Sequence, residues 1–199
     1  MIEKNNFSKM PNFAEKLDDY FIRNLAYFNY RKYVDEMNLQ GDERILEIGC
    51  GGGNLSRFLA KELSLGELVC IDSSKYWVDK ASNRLRNIEF RVEDVLDFKG
   101  KNYYDVIVIH YVLHDIVEKE NVVDILRNSL KKEGLVHIRE PTRKKHGIDS
   151  ENIRLLMIKK GFLEKKSRED YSFPIKGKVY EGIFKKVPHK FRSEALDVH

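Results

Sequence analysis

An α/β three-layer sandwich is predicted, with a mostly parallel sheet of seven strands, an antiparallel last strand and an N-terminal helical segment. Three observations predict it. Apolar segments of strand length alternate with amphipathic segments of helix length from Arg44 to Lys160. One strand-like segment, Val106 to Ile109, is an unbroken apolar run, the composition of a central parallel strand covered on both faces. The final two, Phe162 to Ser167 and Val179 to Phe184, follow each other with no helix-length segment between them, which favours an antiparallel pair.

Taken in order, Asn12 to Leu39 reads as helix, because Phe13, Leu17, Phe21, Leu25 and Phe28 recur on one face. Tyr20, Tyr27 and Tyr30 fall close to that stripe, and Gln40, Gly41 and Asp42 break the pattern. Arg44 to Ile48 is a strand running into a glycine-rich turn. A helix follows with Leu55, Phe58, Leu59 and Leu63 inward. Leu68 to Ile71 is the second strand, and Ser73 or Ser74 caps a helix that buries Trp77, Ala81 and Leu85. Ile88 to Val92 and Val106 to Ile109 are the third and fourth strands. A helix over about 118–131 carries Val122, Leu126 and Leu130 inward and stops near Gly134, before the fifth strand, Leu135 to Ile138. Ile153 to Lys160 is a helix ended by Gly161.

At 199 residues the chain suits one domain. The expected division is a helical extension over 1–41, the main domain over 42–187 and a tail over 188–199. With 42 % hydrophobic and 11 % aromatic residues, a packed core is expected despite 34 % charge. No stretch reaches the roughly 20 apolar residues of a membrane span, and the mixed, polar start carries no signal-peptide pattern. The two cysteines, Cys50 and Cys70, sit in Gly-rich and apolar surroundings rather than in a paired framework, so a reduced, cytoplasmic setting is expected. Of the net charge of +4, the segment from Pro141 onward holds 15 Lys and Arg against 8 Asp and Glu. A solvated lysine-rich surface and a face for an anionic partner are both compatible with that excess.

The informative stretch is Arg44-Ile45-Leu46-Glu47-Ile48-Gly49-Cys50-Gly51-Gly52-Gly53. A buried strand enters glycines that let backbone approach a ligand at the carboxyl edge of a sheet. A nicotinamide dinucleotide turn needs G-x-G-x-x-G, but Asn54 stands where the third glycine belongs, and no Gly-Lys-Ser/Thr closes a phosphate loop. The pattern present is Glu-x-Gly-x-Gly-x-Gly, through Glu47, Gly49, Gly51 and Gly53. With it the chain resembles the class I S-adenosylmethionine-dependent methyltransferases, which have a Rossmann-like fold. The likeness spans about residues 42–185. It is strongest toward the small-molecule enzymes of ubiquinone and menaquinone biosynthesis type, through Val112-Leu113-His114, Lys132-Glu133-Gly134-Leu135 and Lys160-Gly161-Phe162.

The resemblance implies S-adenosyl-L-methionine as cofactor, with Glu47 organising the turn and Gly49, Cys50 and Gly51 at the methionine portion. Asp72 ends the second strand 23 residues after Gly49, near the spacing of about 20 expected for a carboxylate that accepts ribose hydroxyls, and Ser73 lies beside it. Asp94, with Glu93 as the alternative register, and Val95 are implied at the adenine. His110 is implied next to the cofactor. Methyl transfer is an in-line displacement, so alignment and exclusion of water come first. Where the acceptor carries a proton, a base helps. His114, His110 and Glu140 are the candidates, all at the carboxyl ends of the fourth and fifth strands. Tyr20, Tyr27 and Tyr30 read either as a lid over this end or as ordinary helix packing.

No metal is expected. His110-x-x-x-His114 lacks the Glu of a zinc helix, and Glu140-Pro141 stands where metal-dependent catechol enzymes carry Asp-Asn. The Asp/Asn-Pro-Pro-Tyr/Phe of nucleic-acid amino methyltransferases is absent, as is a Pro-Cys nucleophile. A small-molecule acceptor is the expected partner. RNA or protein methylation by the basic C-terminal third, or cofactor binding without turnover, are the alternatives.

Overall fold

The computed structural model describes residues 12, 13, 16, 17, 27–86, 88–142, 147–172 and 177–188. Its elements are α1 (Tyr27–Asp35), β1 (Arg44–Ile48), α2 (Ser56–Glu62), β2 (Glu67–Asp72), α3 (Lys75–Ser82), β3 (Glu89–Val92), β4 (Tyr104–His110), α4 (Lys119–Ser129), β5 (Leu130–Pro141), α5 (Ser150–Lys159), β6 (Phe162–Ser172) and β7 (Gly177–Lys186). The seven strands lie in the order β3-β2-β1-β4-β5-β7-β6. Pairing is parallel from β3 through β5 and antiparallel at both contacts of β7. The mixed three-layer architecture expected from the alternation is therefore the one formed.

Val106, Ile107, Val108 and Ile109 of β4 are all at most 5 % exposed, as befits the centre of a sheet sandwiched on both faces. Two apolar clusters cover those faces. Leu46, Ile48, Ile107 and Ile109 face the layer of Val122, Leu126, Ile153 and Met157 from α4 and α5. Ile45, Val106 and Val108 face Tyr33, Val34, Phe58 and Leu59 from α1 and α2. Each fully buried aliphatic side chain contributes about 1.5–3 kcal/mol.

Four local expectations are corrected. The stripe of Phe13, Leu17 and Phe28 does not face the core: these residues are 80 %, 43 % and 82 % exposed, and α1 instead buries Tyr30, Tyr33 and Val34, with Met37 just beyond its end. Phe21 and Leu25 lie outside the described residues. In α3 the buried residues are Val78 and Ala81, while Trp77 and Leu85 are half-buried. Ser74 stands at the N-cap without a side-chain bond, and Asp72 Oδ1 accepts its backbone amide at 2.8 Å. Strand β5 begins at Leu130, five residues earlier than its apolar run, because Tyr104 of β4 pairs with Leu130 before a register shift.

α1 is held to the sheet by charge as well as by packing. Glu36, just past its end, accepts Lys166 Nζ at 3.0 Å and Arg168 at 2.7 Å. Arg168 also meets Glu181, which pairs with the buried Arg139. The Arg139 guanidinium lies 5.4 Å from the centre of the Tyr33 ring.

Across this face Glu47, Val108 and His137 occupy one row of the register. Burial raises the Glu47 pKa to about 7 and lowers that of His137 to about 4. The signs oppose. Between about 4.5 and 7 the folded state holds the Glu47 proton more tightly than the unfolded chain, so stability falls as pH rises. Between about 6.5 and 4 the unfolded chain takes the His137 proton first, so stability falls as pH falls. Relative to the parent, His137→Leu is therefore expected to gain stability toward acid, and Glu47→Gln toward neutrality. Urea melts across this range check the prediction, and parallel curves for the two variants would refute it.

Candidate active site

The site is built where the parallel strands end. After β1 the chain turns through Gly49, Gly51 and Gly53, all left-handed at φ +69°, +51° and +77°. The amides of Gly49 and Cys50 donate to Ile71 O at 2.8 and 3.2 Å, tying the turn to β2. Two glycines are required for different reasons. A Cβ on Gly49 would lie 2.2 Å from Val112 Cγ2, so the turn and the segment after β4 touch. Among the described residues, a Cβ on Gly51 would meet nothing within 4 Å, so there the left-handed φ is what calls for glycine and the space beside the backbone is open.

Among the described residues, the carboxylate that shapes this turn is Asp72 rather than Glu47. Asp72 Oδ2 accepts the Gly51 amide at 2.9 Å and Oδ1 the Ser74 amide at 2.8 Å, with half-buried Ser73 between them. Burial raises the Asp72 pKa, and the two amides oppose that shift. Glu47 is only 2 % exposed and accepts Cys70 Sγ–H at 3.3 Å. The Glu93 amide donates to Asp72 O at 3.0 Å, bringing the end of β3 alongside. There Asp94 Oδ1 caps a single turn, Val95–Asp97, through the Leu96 amide at 2.9 Å, and Val95 is buried. Gly49, Gly51, Asp72, Ser73 and Asp94 thus gather at one edge of the sheet, with Glu47, Cys50 and Val95 buried behind them.

The two histidines part company after β4. His110 sits under α1, its ring centroid 5.2 Å from Tyr30 and 5.4 Å from Tyr33. Tyr111 then takes φ +61°, an unusual value for a bulky residue, and its amide donates to Arg139 O at 2.8 Å. That turn aims the next three amides at Glu140 on β5. Glu140, with no exposed surface, accepts Val112 N and Leu113 N at 2.7 Å each on Oε1 and His114 N at 3.3 Å on Oε2. The His114 ring joins them, with Nδ1 2.7 Å from Oε2. Its Nε2 lies 3.4 Å from the half-exposed Asp115 carboxylate.

Of the three tyrosines, Tyr20 lies outside the described residues, as does the side chain of Tyr27. Tyr30 is buried between His110 and Phe58, 6.0 Å from the latter. Sequence reasoning missed Tyr33, which packs on His110, and the pairing of Glu140 with His114. No local signal announces either, because each joins residues brought together only by neighbouring elements.

A family model described as "Methyltransferase domain" matches residues 39–185. Trans-aconitate 2-methyltransferase of Mycobacterium tuberculosis is 30 % identical over 50 % of this chain and 39 % of its own. Demethylmenaquinone methyltransferase of Thermotoga maritima is 29 % identical over 56 % of this chain and 49 % of its own. The chain thus spans between two-fifths and half of the length of these relatives. The crystal structure of the N-methyltransferase NodS from Bradyrhizobium japonicum, in complex with S-adenosyl-L-homocysteine, superposes with a TM-score of 0.73 at 17 % identity. That superposition covers 85 % of this chain and 92 % of NodS, and it shows a shared fold.

Proposed function

Because this chain belongs to the methyltransferase-domain family, we propose that it uses S-adenosylmethionine to methylate a small-molecule acceptor, with His114 as general base. The observation that carries the reading is the His114–Glu140 pair, built from the loop that touches the glycine turn at Gly49 and Val112.

The cradle fits the cofactor. The space open beside Gly51 admits a ligand against the backbone, and Asp72 keeps further acceptor capacity beyond its two amides. In this reading Gly49, Cys50 and Gly51 hold the methionine portion, Asp72 and Ser73 the ribose, and Asp94 and Val95 the adenine. Bound there, the sulfonium supplies an electrophilic methyl group. The protein aligns the acceptor and excludes water. Glu140, as a carboxylate, only accepts hydrogen bonds, so it fixes the proton of neutral His114 on Nδ1 and leaves the Nε2 lone pair for the acceptor's proton. Asp115, half-exposed beside Nε2, gives that proton a way to solvent. His110, under Tyr30 and Tyr33, serves the wall of the site rather than the proton transfer.

A small-molecule acceptor is favoured by the relatives, two of which are named for trans-aconitate and demethylmenaquinone. Transfer of label from methyl-labelled cofactor into metabolite, RNA and protein pools tests the class. Label in RNA or protein alone would overturn it. Calorimetry tests the cradle: S-adenosylhomocysteine is expected to bind and NAD not to bind. Asp72→Ala is expected to weaken binding by about 1–3 kcal/mol, the cost of hydrogen-bonding groups left unpaired. Gly51→Val is expected to weaken it further by filling the open space. Unchanged affinity in both variants, with circular dichroism intact, would put the cofactor elsewhere.

A further inference from the structure

The cations of the basic C-terminal third are not all used alike. Lys160 meets Asp124, Lys166 and Arg168 meet Glu36, and Lys185 meets Glu133. The half-buried Lys186, at the end of β7, instead donates to Asn102 Oδ1 at 2.9 Å and to Leu130 O at 2.6 Å, both uncharged. It lines a cavity of about 800 Å³ at the edge where β4 and β5 begin, opposite the edge that carries the glycine turn. Lys99 and Lys101 from the loop before β4, Arg127 of α4 and Lys132 near the start of β5 line it too. Among the described residues no carboxylate does.

The surrounding backbone fixes this arrangement. The Asn102 amide donates to Asn128 O and the Tyr103 amide to Ser129 O, both at 2.8 Å, which ties the loop to the end of α4. A Cβ on Gly100 would lie 2.4 Å from Ser129 Oγ, so the backbone between Lys99 and Lys101 runs directly against the helix. Arg127 donates to Gly161 O and, at 2.8 Å, to Val187 O, which sets its guanidinium beside the end of β7. Burial and the Arg127 charge both lower the Lys186 pKa, as expected of two like charges held close together. The carboxylates on the flanks are engaged, Asp105 by Lys131 and Glu133 by Lys185. Cations gathered in a concave, low-dielectric wall raise the local potential and draw anions.

We infer that this cavity is a binding site for a small, multiply charged phosphate ligand of the pyrophosphate or triphosphate class, separate from the proposed active site. Its volume lies within the roughly 300–1,000 Å³ of small-ligand sites, whereas a nucleic-acid strand is tracked by an extended groove. Phosphate oxygens accept charge-assisted hydrogen bonds from lysine and arginine. Exposed Lys99, Lys101 and Lys132 supply rotatable donors, and Arg127 and Lys186 supply fixed ones.

Calorimetry on the full chain at low salt compares inorganic orthophosphate, pyrophosphate and triphosphate. Affinity is expected to rise about tenfold or more from orthophosphate to triphosphate, and to fall as salt is added. Lys99→Gln combined with Lys101→Gln, both exposed and so compatible with folding, is expected to lower triphosphate affinity about tenfold or more. Lys186→Gln should do the same, but it also loses the bond to Leu130 O, so the loop pair decides. Lys165→Gln combined with Lys178→Gln removes the same charge from exposed positions outside the cavity and should leave affinity unchanged. An equal loss in that control would overturn the site in favour of general charge attraction, and no binding of triphosphate would overturn it outright. A short RNA oligomer that binds more tightly than triphosphate, and is lost in the loop variant, would overturn the small-ligand reading. Neither cofactor nor acceptor is present in these titrations, so failure here and failure of the function proposed above are independent.

Discussion

Replacing His114 with alanine is expected to lower turnover roughly 10²–10⁴-fold, the usual cost of losing a general base, while cofactor affinity is retained. The separation follows from position. His114 hangs from Glu140 on β5, whereas the proposed cofactor contacts come from the glycine turn, Asp72 and the Asp94 turn. Glu140→Gln sharpens the test. Its amide oxygen still accepts the Val112 and Leu113 amides, but its NH₂ then faces His114 Nδ1, which must turn acceptor and place its proton on Nε2. The His114 amide loses its weaker bond to the same oxygen, so turnover is expected to fall with the Val112 and Leu113 amides still held. Glu140→Ala also leaves buried amides unpaired, at about 1–3 kcal/mol each, and is expected to unfold more easily. Single-turnover rates, thermal melts and calorimetry separate these outcomes. Full activity of His114→Ala from about pH 6 to 9 would mean that alignment alone carries the reaction.

Gly49→Ala is expected to damage stability and turnover together. The new methyl would stand 2.2 Å from Val112 Cγ2 and 2.8 Å from Cγ1, at a residue held at φ +69°. The left-handed backbone costs about 1–2 kcal/mol for a non-glycine residue, and overpacking about 1–3 more. Val112 cannot retreat freely, because its amide is bonded to Glu140, so its displacement also shifts the arm that carries His114. Adding Val112→Ala removes both Cγ contacts and should recover most of the overpacking share, with Val112 Cβ still at 3.0 Å and the backbone share unchanged. Gly51→Ala, with nothing among the described residues within 4 Å of its Cβ, should show only the backbone share in thermal melts. Melting of Gly49→Ala at the parent temperature would show that the turn and the loop after β4 are not in contact.

What was legible in the residues was local. The run Val106–Ile109 read as a doubly covered strand, because a segment buried on both faces has no polar alternation. The glycine turn read as a close-approach loop, because left-handed backbone needs glycine at 49 and 51. Asp72 and Asp94 stood at strand ends, and parallel topology brings all such ends to one edge. These features depend on near neighbours or on a repeating strand–helix rhythm, which a single sequence carries in full.

Other features belonged to the tertiary structure. Glu140 was one of three candidate bases in the sequence, but four donors converge on it, and it became the group that orients His114. The phenylalanine stripe of the N-terminal helix had helical spacing, yet Tyr30 and Tyr33 face inward, held by the His110 ring and the Arg139–Glu181 pair. Periodicity shows that a helix has an apolar face, but which face is buried depends on partners far away in the chain. The sequence alone therefore determined the strands, the turn and the edge where the parallel strands end, whereas the pairing of side chains across β1, β2, β4 and β5 was decided by packing, because those contacts join residues whose separation leaves no repeating pattern to read.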